Sequence, residues 1–140
     1  MSLESSDRRT MLRLCTAALA TLSTAGCLNR QSSSIQTITM PDSHRFEPKT
    51  ATIETGETVT WTNESDIEHT VTAYEDEIPD EAAYFASGGF ESERAARNRI
   101  TEGLIAPGEK YEYTFDHPGT YGYFCIPHES SGMVGTIQVK

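Results

Sequence analysis

From residue 35 onward, apolar and polar residues alternate over short stretches, a pattern that is typical of β-strands. In Thr58–Thr62, Val59 and Trp61 fall on one face and the threonines on the other. A second such stretch, Thr50–Glu54, comes just before it, and the intervening Thr55-Gly56-Glu57 predicts a hairpin turn. Short strands at this spacing, separated by turns that contain glycine or proline, predict an all-β sandwich.

Two further strands are predicted near the C-terminal end, at Thr120–Phe124 and Val134–Val139. The loop between them contains Pro127, which cannot continue a strand because it has no N–H. It also contains Gly132, which allows a tight turn just before the last strand. A strand–loop–strand unit of this kind can direct several side chains at one point.

Residues 75–103 interrupt the strand pattern and predict a partly helical insertion. Ile78–Phe85 has a proline near its start, which favours one or two helical turns. Glu91–Asn98 has a helical composition, and Glu93 and Arg97 within it form an i,i+4 pair in the favourable order.

The C-terminal loop brings together the residue types that bind copper. Cys125, His128 and Met133 lie within nine positions, and a second imidazole, His69, lies upstream in the strand-like stretch Glu68–Thr72. One thiolate, two imidazoles and a weak thioether form the ligand set of a blue-copper electron-transfer centre. Sulfur suits Cu(I) and imidazole suits Cu(II), so both oxidation states fit with little rearrangement.

Each of these residues also has a purely structural interpretation. Cys125 alone would be interpreted as a buried thiol and Met133 as a core residue. His69 would be a strand histidine that hydrogen-bonds to a neighbouring residue. Their combined spacing favours metal binding for all of them. The remaining histidines, His44 and His117, lie in turn-like stretches, and we assign them no metal role.

The Tyr121–Met133 segment resembles the copper loop of the cupredoxin superfamily, specifically the plastocyanin-like and halocyanin-like small blue copper proteins. The Cys-x-x-His spacing followed by x₄-Met matches that of plastocyanin. The resemblance covers roughly residues 35–140, because it extends upstream through Phe46-Glu47-Pro48, Trp61-Thr62-Asn63, His69-Thr70-Val71 and Pro118-Gly119-Thr120-Tyr121.

This resemblance implies a cupredoxin-like Greek-key β-sandwich with the partly helical insertion at about 75–103. It implies one copper ion per chain, Cu(I) or Cu(II), with the metal ligands His69, Cys125, His128 and Met133. Thr70, Phe124 and Pro127 would surround these ligands. Thr70 departs from the pattern, since many cupredoxins have asparagine there to hold the two ligand segments together.

The implied function is transport of one electron between redox proteins of a membrane electron-transport chain. An enzyme is not expected, because a four-ligand shell leaves no open position for a substrate. Two alternatives remain open from the sequence: a copper-storage or copper-delivery protein, and a β-sandwich without metal. We expect a monomer.

The chain is strongly acidic, with 21 Asp and Glu against 11 Lys and Arg and a net charge of −10. This balance argues against nucleic acid as a partner, since the phosphate backbone favours basic surfaces. The acidic residues between Glu75 and Glu81 fit either a docking site for a basic redox partner or, more simply, a solvated acidic face.

Residues 1–26 predict a signal peptide. Arg8 and Arg9 precede a mildly apolar stretch, Leu14–Ala25, that is too short for the roughly 20 residues a membrane span needs. The paired arginines resemble a twin-arginine export signal, with an ordinary secretory signal as the alternative.

Leu22–Cys27 resembles a lipobox, so we expect Cys27 to be lipidated and residues 27–34 to form a short polar tether. The alternative is an ordinary cleavage site with an incidental cysteine. The domain, residues 35–140, would then be anchored at the outer face of the cytoplasmic membrane. It keeps only Cys125, so no disulfide is expected there, and metal binding explains this unpaired thiol.

Overall fold

The computed structural model describes residues 35–140. Its seven strands are β1 (Ile35–Met40), β2 (Thr50–Ile53), β3 (Thr58–Asn63), β4 (Thr72–Ala73), β5 (Lys110–Thr114), β6 (Gly119–Phe124) and β7 (Val134–Val139). The predicted signal peptide with Arg8 and Arg9, and the tether with Cys27, lie outside the described residues. Within 35–140, every helix is too short and too polar to cross a membrane.

The strands form two sheets, as expected for a β-sandwich. β3 is the centre of a three-stranded sheet, parallel to β1 and antiparallel to β5. The second sheet has the order β2-β7-β6-β4, in which β2 is parallel to β7 and the other pairs are antiparallel. One aromatic-rich core takes residues from both sheets, including Trp61, Phe115 and Tyr123. The predicted all-β sandwich is confirmed.

The prediction of a hairpin at Thr55-Gly56-Glu57 is wrong, because β2 and β3 belong to different sheets. The turn is an arch between the sheets: the Gly56 N–H donates to the Phe115 carbonyl (2.7 Å) and the Thr55 N–H to the Lys140 carbonyl (3.0 Å). Both strands bury their alternate apolar residues, and they do so from opposite sides of the same core. Alternation therefore identified the buried faces but not the strand pairing.

The insertion contains one α-helix, α1 (Glu93–Asn98), and short 3₁₀ helices at Glu75–Glu77 and Ile100–Gly103. Ser92 caps the N-terminus of α1: its hydroxyl oxygen accepts a hydrogen bond from the Ala95 N–H (3.1 Å). The predicted pair of Glu93 and Arg97 is present, with a closest N–O distance of 2.8 Å.

One or two helical turns are predicted at Ile78–Phe85, but no helix forms there. A single turn forms, closed by the hydrogen bond from the Ala82 N–H to the Pro79 carbonyl (3.0 Å). The chain then extends because the Phe85 carbonyl accepts a hydrogen bond from the Ala73 N–H (3.1 Å) and the Phe85 ring enters the core. Burial of this aromatic ring overrides the local helical tendency.

Candidate metal centre

The loop between β6 and β7 has the predicted form. Cys125 follows β6 directly, and two short 3₁₀ turns, Ile126–Ser131, are interrupted at His128. Gly132 adopts a left-handed conformation (φ +88°) and returns the chain to Met133. The Cys125 N–H donates to the Met133 carbonyl (3.0 Å) and the Met133 N–H to the His128 carbonyl (3.2 Å). These two hydrogen bonds close the loop and hold Met133 beside Cys125. Met133 is fully buried.

His69 lies opposite this loop, in a segment that is less regular than predicted. Of the stretch Glu68–Thr72, only Thr72 lies in a strand, β4, and His69 makes an isolated two-bond bridge with Ile105. The regular ladder is lost because side chains accept the next backbone donors. The Thr70 N–H donates to Cys125 Sγ (3.3 Å) and the Val71 N–H to the Ser87 hydroxyl (3.0 Å).

His69, Cys125 and His128 are brought together as predicted. One donor atom from each lies within 4.8 Å of the others, and Cys125 Sγ is 3.6 Å from His69 Nδ1. The side chains of His69 and Cys125 are inaccessible to solvent, while His128 is half-buried. A thiol and two imidazoles converging on one buried point fit copper, since copper accepts both soft sulfur and imidazole nitrogen.

The protonation states of the imidazoles favour metal binding. Burial, followed by the neighbouring His128 and His44, lowers the pKa of His69 to about 4. Burial and then His44 also lower the pKa of His128. Both imidazoles are therefore neutral at pH 7 and can offer a lone pair.

The Cys125 thiol, unlike the imidazoles, is not in the form that binds a metal. Burial raises the pKa of Cys125, although the hydrogen bond from the Thr70 N–H acts against this. A metal must therefore displace the thiol proton when it binds.

Thr70 supplies the bracing that asparagine gives in many cupredoxins. Its hydroxyl oxygen accepts a hydrogen bond from the Ile126 N–H (2.9 Å) and lies 3.1 Å from the Thr72 hydroxyl. With its own N–H bonded to Cys125 Sγ, Thr70 connects the His69 segment to both Cys125 and the residue after it. The two segments that carry the candidate ligands are thus joined through one residue.

Comparison with known proteins identifies the family. The family model "Copper binding proteins, plastocyanin/azurin family" matches residues 35–140. The plastocyanin of Scenedesmus fuscus is 44% identical over 95 residues, which cover 68% of this chain and 86% of that protein. The chain belongs to the plastocyanin/azurin family.

Solved structures agree on the fold. Oxidised plastocyanin from Dryopteris crassirhizoma superposes with a TM-score of 0.54 at 23% identity, covering 74% of this chain and 99% of that one. A copper-containing nitrite reductase from Thermus scotoductus gives a TM-score of 0.56 at 24% identity, but the match covers only 23% of the reductase against 78% of this chain. Similarity at this identity level describes the fold alone.

This cupredoxin is a blue copper electron carrier with one copper per chain, and it is not an enzyme. When bound, copper supplies the one-electron redox couple. The protein supplies a set of donor atoms that suits both oxidation states of copper, and it buries most of that set.

His44 lies beside the site, which its turn-like sequence context does not predict. Its ring stacks on that of His128, with centroids 4.2 Å apart and planes at 21°, and it lies edge-on to His69 at 6.2 Å. Its backbone is in the left-handed region (φ +56°), which is uncommon for a residue other than glycine. His44 does lie in a turn, but the turn folds back over the candidate ligands.

His117 lies in the turn before β6, where its carbonyl accepts a hydrogen bond from the Tyr121 hydroxyl (2.7 Å).

The insertion contacts the copper loop at Glu129 and the adjoining end of β6 at Phe124. Arg97 of α1 donates two hydrogen bonds to Glu129, the residue after His128 (2.9 and 3.3 Å), and its guanidinium lies 4.4 Å from the centre of the Phe124 ring. Tyr74 stacks on Phe124 (4.2 Å) and donates its hydroxyl hydrogen to Glu129 (2.7 Å). Phe124, the residue before Cys125, is thereby completely buried. Pro127, in contrast, is exposed.

We expect Arg97→Ala to loosen the copper loop with a small loss of global stability. The hydrogen bonds from Arg97 lower the pKa of Glu129, so the pair is charged at neutral pH. Both side chains are about one-third exposed, so the ion pair and the ring contact together contribute on the order of 1 kcal/mol. Hydrogen exchange should become faster in the backbone amides of residues 126–131.

Arg99→Ala is the matched control. Arg99 also pairs with a glutamate, Glu102 (2.7 Å), and lies over an aromatic ring, Phe90 (5.4 Å), but neither partner belongs to the copper loop. Equal exchange rates for residues 126–131 in the two variants would contradict a bracing role for Arg97.

Proposed function

We propose that this protein carries one electron at a time on a copper ion bound by His69, Cys125 and His128, with Met133 as a weak axial ligand. The observation that carries the proposal is the convergence of one thiol and two imidazole donors within 4.8 Å. The axial role of Met133 is supported by its complete burial and by its backbone bonds to Cys125 and His128.

The proposed electron port is the imidazole pair of His128 and His44. Both rings are half-buried, so they reach solvent at one end of the sandwich while His69 and Cys125 do not. Stacking at 4.2 Å places the His44 ring in van der Waals contact with a candidate ligand. A partner that docks at this end would approach the copper without any change in the buried ligands.

The proposed partners are redox proteins of a membrane electron-transport chain. This part rests on the sequence of the N-terminal segment, which resembles a twin-arginine signal with Arg8 and Arg9 and a lipobox ending at Cys27. A lipid on Cys27 would anchor a monomeric domain at the outer face of the cytoplasmic membrane, close to such partners. A single acyl chain gives only marginal anchoring, so more than one chain, or a second contact, is implied.

Cyclic voltammetry of the copper-loaded protein tests the function directly. We expect a reversible one-electron couple, because a donor set that suits both Cu(I) and Cu(II) needs little reorganisation. The zinc-loaded protein is the control, since zinc accepts the same ligands but has no redox chemistry. A sluggish or irreversible copper couple would contradict electron transport and favour copper storage.

A further inference from the structure

We propose that Ser65 is a positioning residue that fixes the tautomer of His69 through a buried hydrogen-bond chain ending on Asn63. Ser65 Oγ lies 2.9 Å from His69 Nε2, while His69 Nδ1 faces Cys125 Sγ at 3.6 Å. The two ring nitrogens therefore face different partners. The consequence for copper rests on the proposed function, but the tautomer itself does not.

The donors and acceptors present determine the direction of each hydrogen bond between His69, Ser65 and Asn63. A neutral imidazole carries one N–H. In the metal-free protein the Cys125 thiol can donate its S–H to a lone pair on Nδ1. The imidazole hydrogen is then on Nε2, where the Ser65 oxygen accepts it. The Ser65 hydroxyl is then free to donate onward, and its shortest acceptor is Asn63 Oδ1 at 2.7 Å.

Asn63 is itself fixed in one orientation. Its Nδ2 donates to the Ile67 carbonyl (2.7 Å) and to the Ile105 carbonyl (2.9 Å), so the side-chain oxygen must point towards Ser65. That oxygen also accepts the Ser65 N–H (2.9 Å). Ile105 is the residue whose backbone bridges to His69, so the same contacts that orient the amide also hold the imidazole segment.

Burial strengthens the hydrogen bonds between His69, Ser65 and Asn63. Ser65 is 4% exposed, and Asn63 and His69 are fully buried, so solvent competes little for these hydrogen bonds. Hydrogen bonds in such an environment are electrostatically stronger and polarise one another. Donation from Nε2–H to a polarised hydroxyl raises the basicity of Nδ1, which strengthens binding of the more highly charged copper ion.

The test begins with the metal-free protein. Long-range ¹H–¹⁵N correlation spectra distinguish the two histidine tautomers, and we expect wild-type His69 to be entirely the Nε2–H form. Ser65→Ala should give a mixture of tautomers, and Ser65→Thr, which keeps a hydroxyl, should restore the single form. An Nδ1–H tautomer in the wild-type protein would overturn the proposal even if Ser65→Ala failed to fold.

The second readout is copper itself. Ser65→Ala should lower the affinity for Cu(II) by about 10- to 100-fold and raise the reduction potential, because Cu(II) loses more from a less basic imidazole than Cu(I) does. Wild-type affinity and potential in Ser65→Ala would overturn the proposal. Failure of the wild-type chain to bind copper would instead contradict the proposed function, while the tautomer measurement would still stand.

Ser87→Ala is the matched control. Ser87 is also 4% exposed and also uses its hydroxyl for two buried bonds, accepting from the Val71 N–H (3.0 Å) and donating to the Gly103 carbonyl (2.6 Å). Neither of these hydrogen bonds involves His69. This variant should therefore lose stability while its His69 tautomer and reduction potential stay unchanged.

Discussion

Replacing Cys125 by serine should abolish the blue absorption of the copper-loaded protein. Cys125 is the only cysteine in residues 35–140, and its Sγ lies 3.6 Å from His69 Nδ1 within the donor cluster. A serine hydroxyl is a hard oxygen donor with a far higher pKa than a thiol, so it cannot replace the soft thiolate that Cu(I) requires. Visible absorption and electron paramagnetic resonance spectra, recorded at equal copper and protein concentrations, measure the loss.

Two controls make this result specific to the site. Cys27→Ser changes a cysteine outside the described residues and should leave the blue absorption unchanged. Near-ultraviolet circular dichroism of metal-free Cys125→Ser should match that of the wild type, because the substitution changes little volume in the core. Persistent blue colour in correctly folded Cys125→Ser would rule out the ligand role assigned to this residue.

Trp61→Ala should destabilise the protein more than truncation of any other side chain in the core. Trp61 is inaccessible to solvent, and its ring contacts those of Phe85, Tyr111, Phe115 and Tyr123. Truncating a buried aromatic side chain of this kind costs about 3–5 kcal/mol, a large part of the roughly 5–15 kcal/mol that stabilises a typical domain. Urea unfolding followed by far-ultraviolet circular dichroism measures it, since the single tryptophan is lost as a fluorescent probe.

Trp61→Phe and Ile35→Ala place this value on a scale. Trp61→Phe keeps most of the ring contacts, so its free energy of unfolding should fall clearly less than that of Trp61→Ala. Ile35 is 63% exposed at the start of β1, so its truncation should change the free energy of unfolding by no more than about 0.5 kcal/mol. A loss below about 1 kcal/mol in Trp61→Ala would mean that the ring is not a central element of the core.

The copper loop could be predicted because its chemistry is local. Cys125, His128 and Met133 are separated by a few residues, and Pro127 and Gly132 limit the conformations of the chain between them. The final strand, Val134–Val139, was predicted with the bounds that the structure shows. Strand pairing could not be predicted in the same way, because alternation reports which face is buried and says nothing of the neighbouring strand.

The surroundings of the ligands depend on contacts distant in sequence. His44 reaches His128 only because its turn folds back over the loop, and no spacing in the sequence signals this. Ser65 lies four residues before His69, but a serine among polar residues resembles any loop serine until its burial is known. The contact of Arg97 with Glu129 likewise joins two segments whose proximity the local helix pattern does not predict.

The most direct test of the central claim is a crystal structure of the copper-loaded protein with anomalous diffraction measured at the copper absorption edge. We expect one anomalous peak per chain, located between Cys125 Sγ, His69 Nδ1 and a ring nitrogen of His128. A copper peak away from these three atoms, for example on surface carboxylates, would contradict the proposed site.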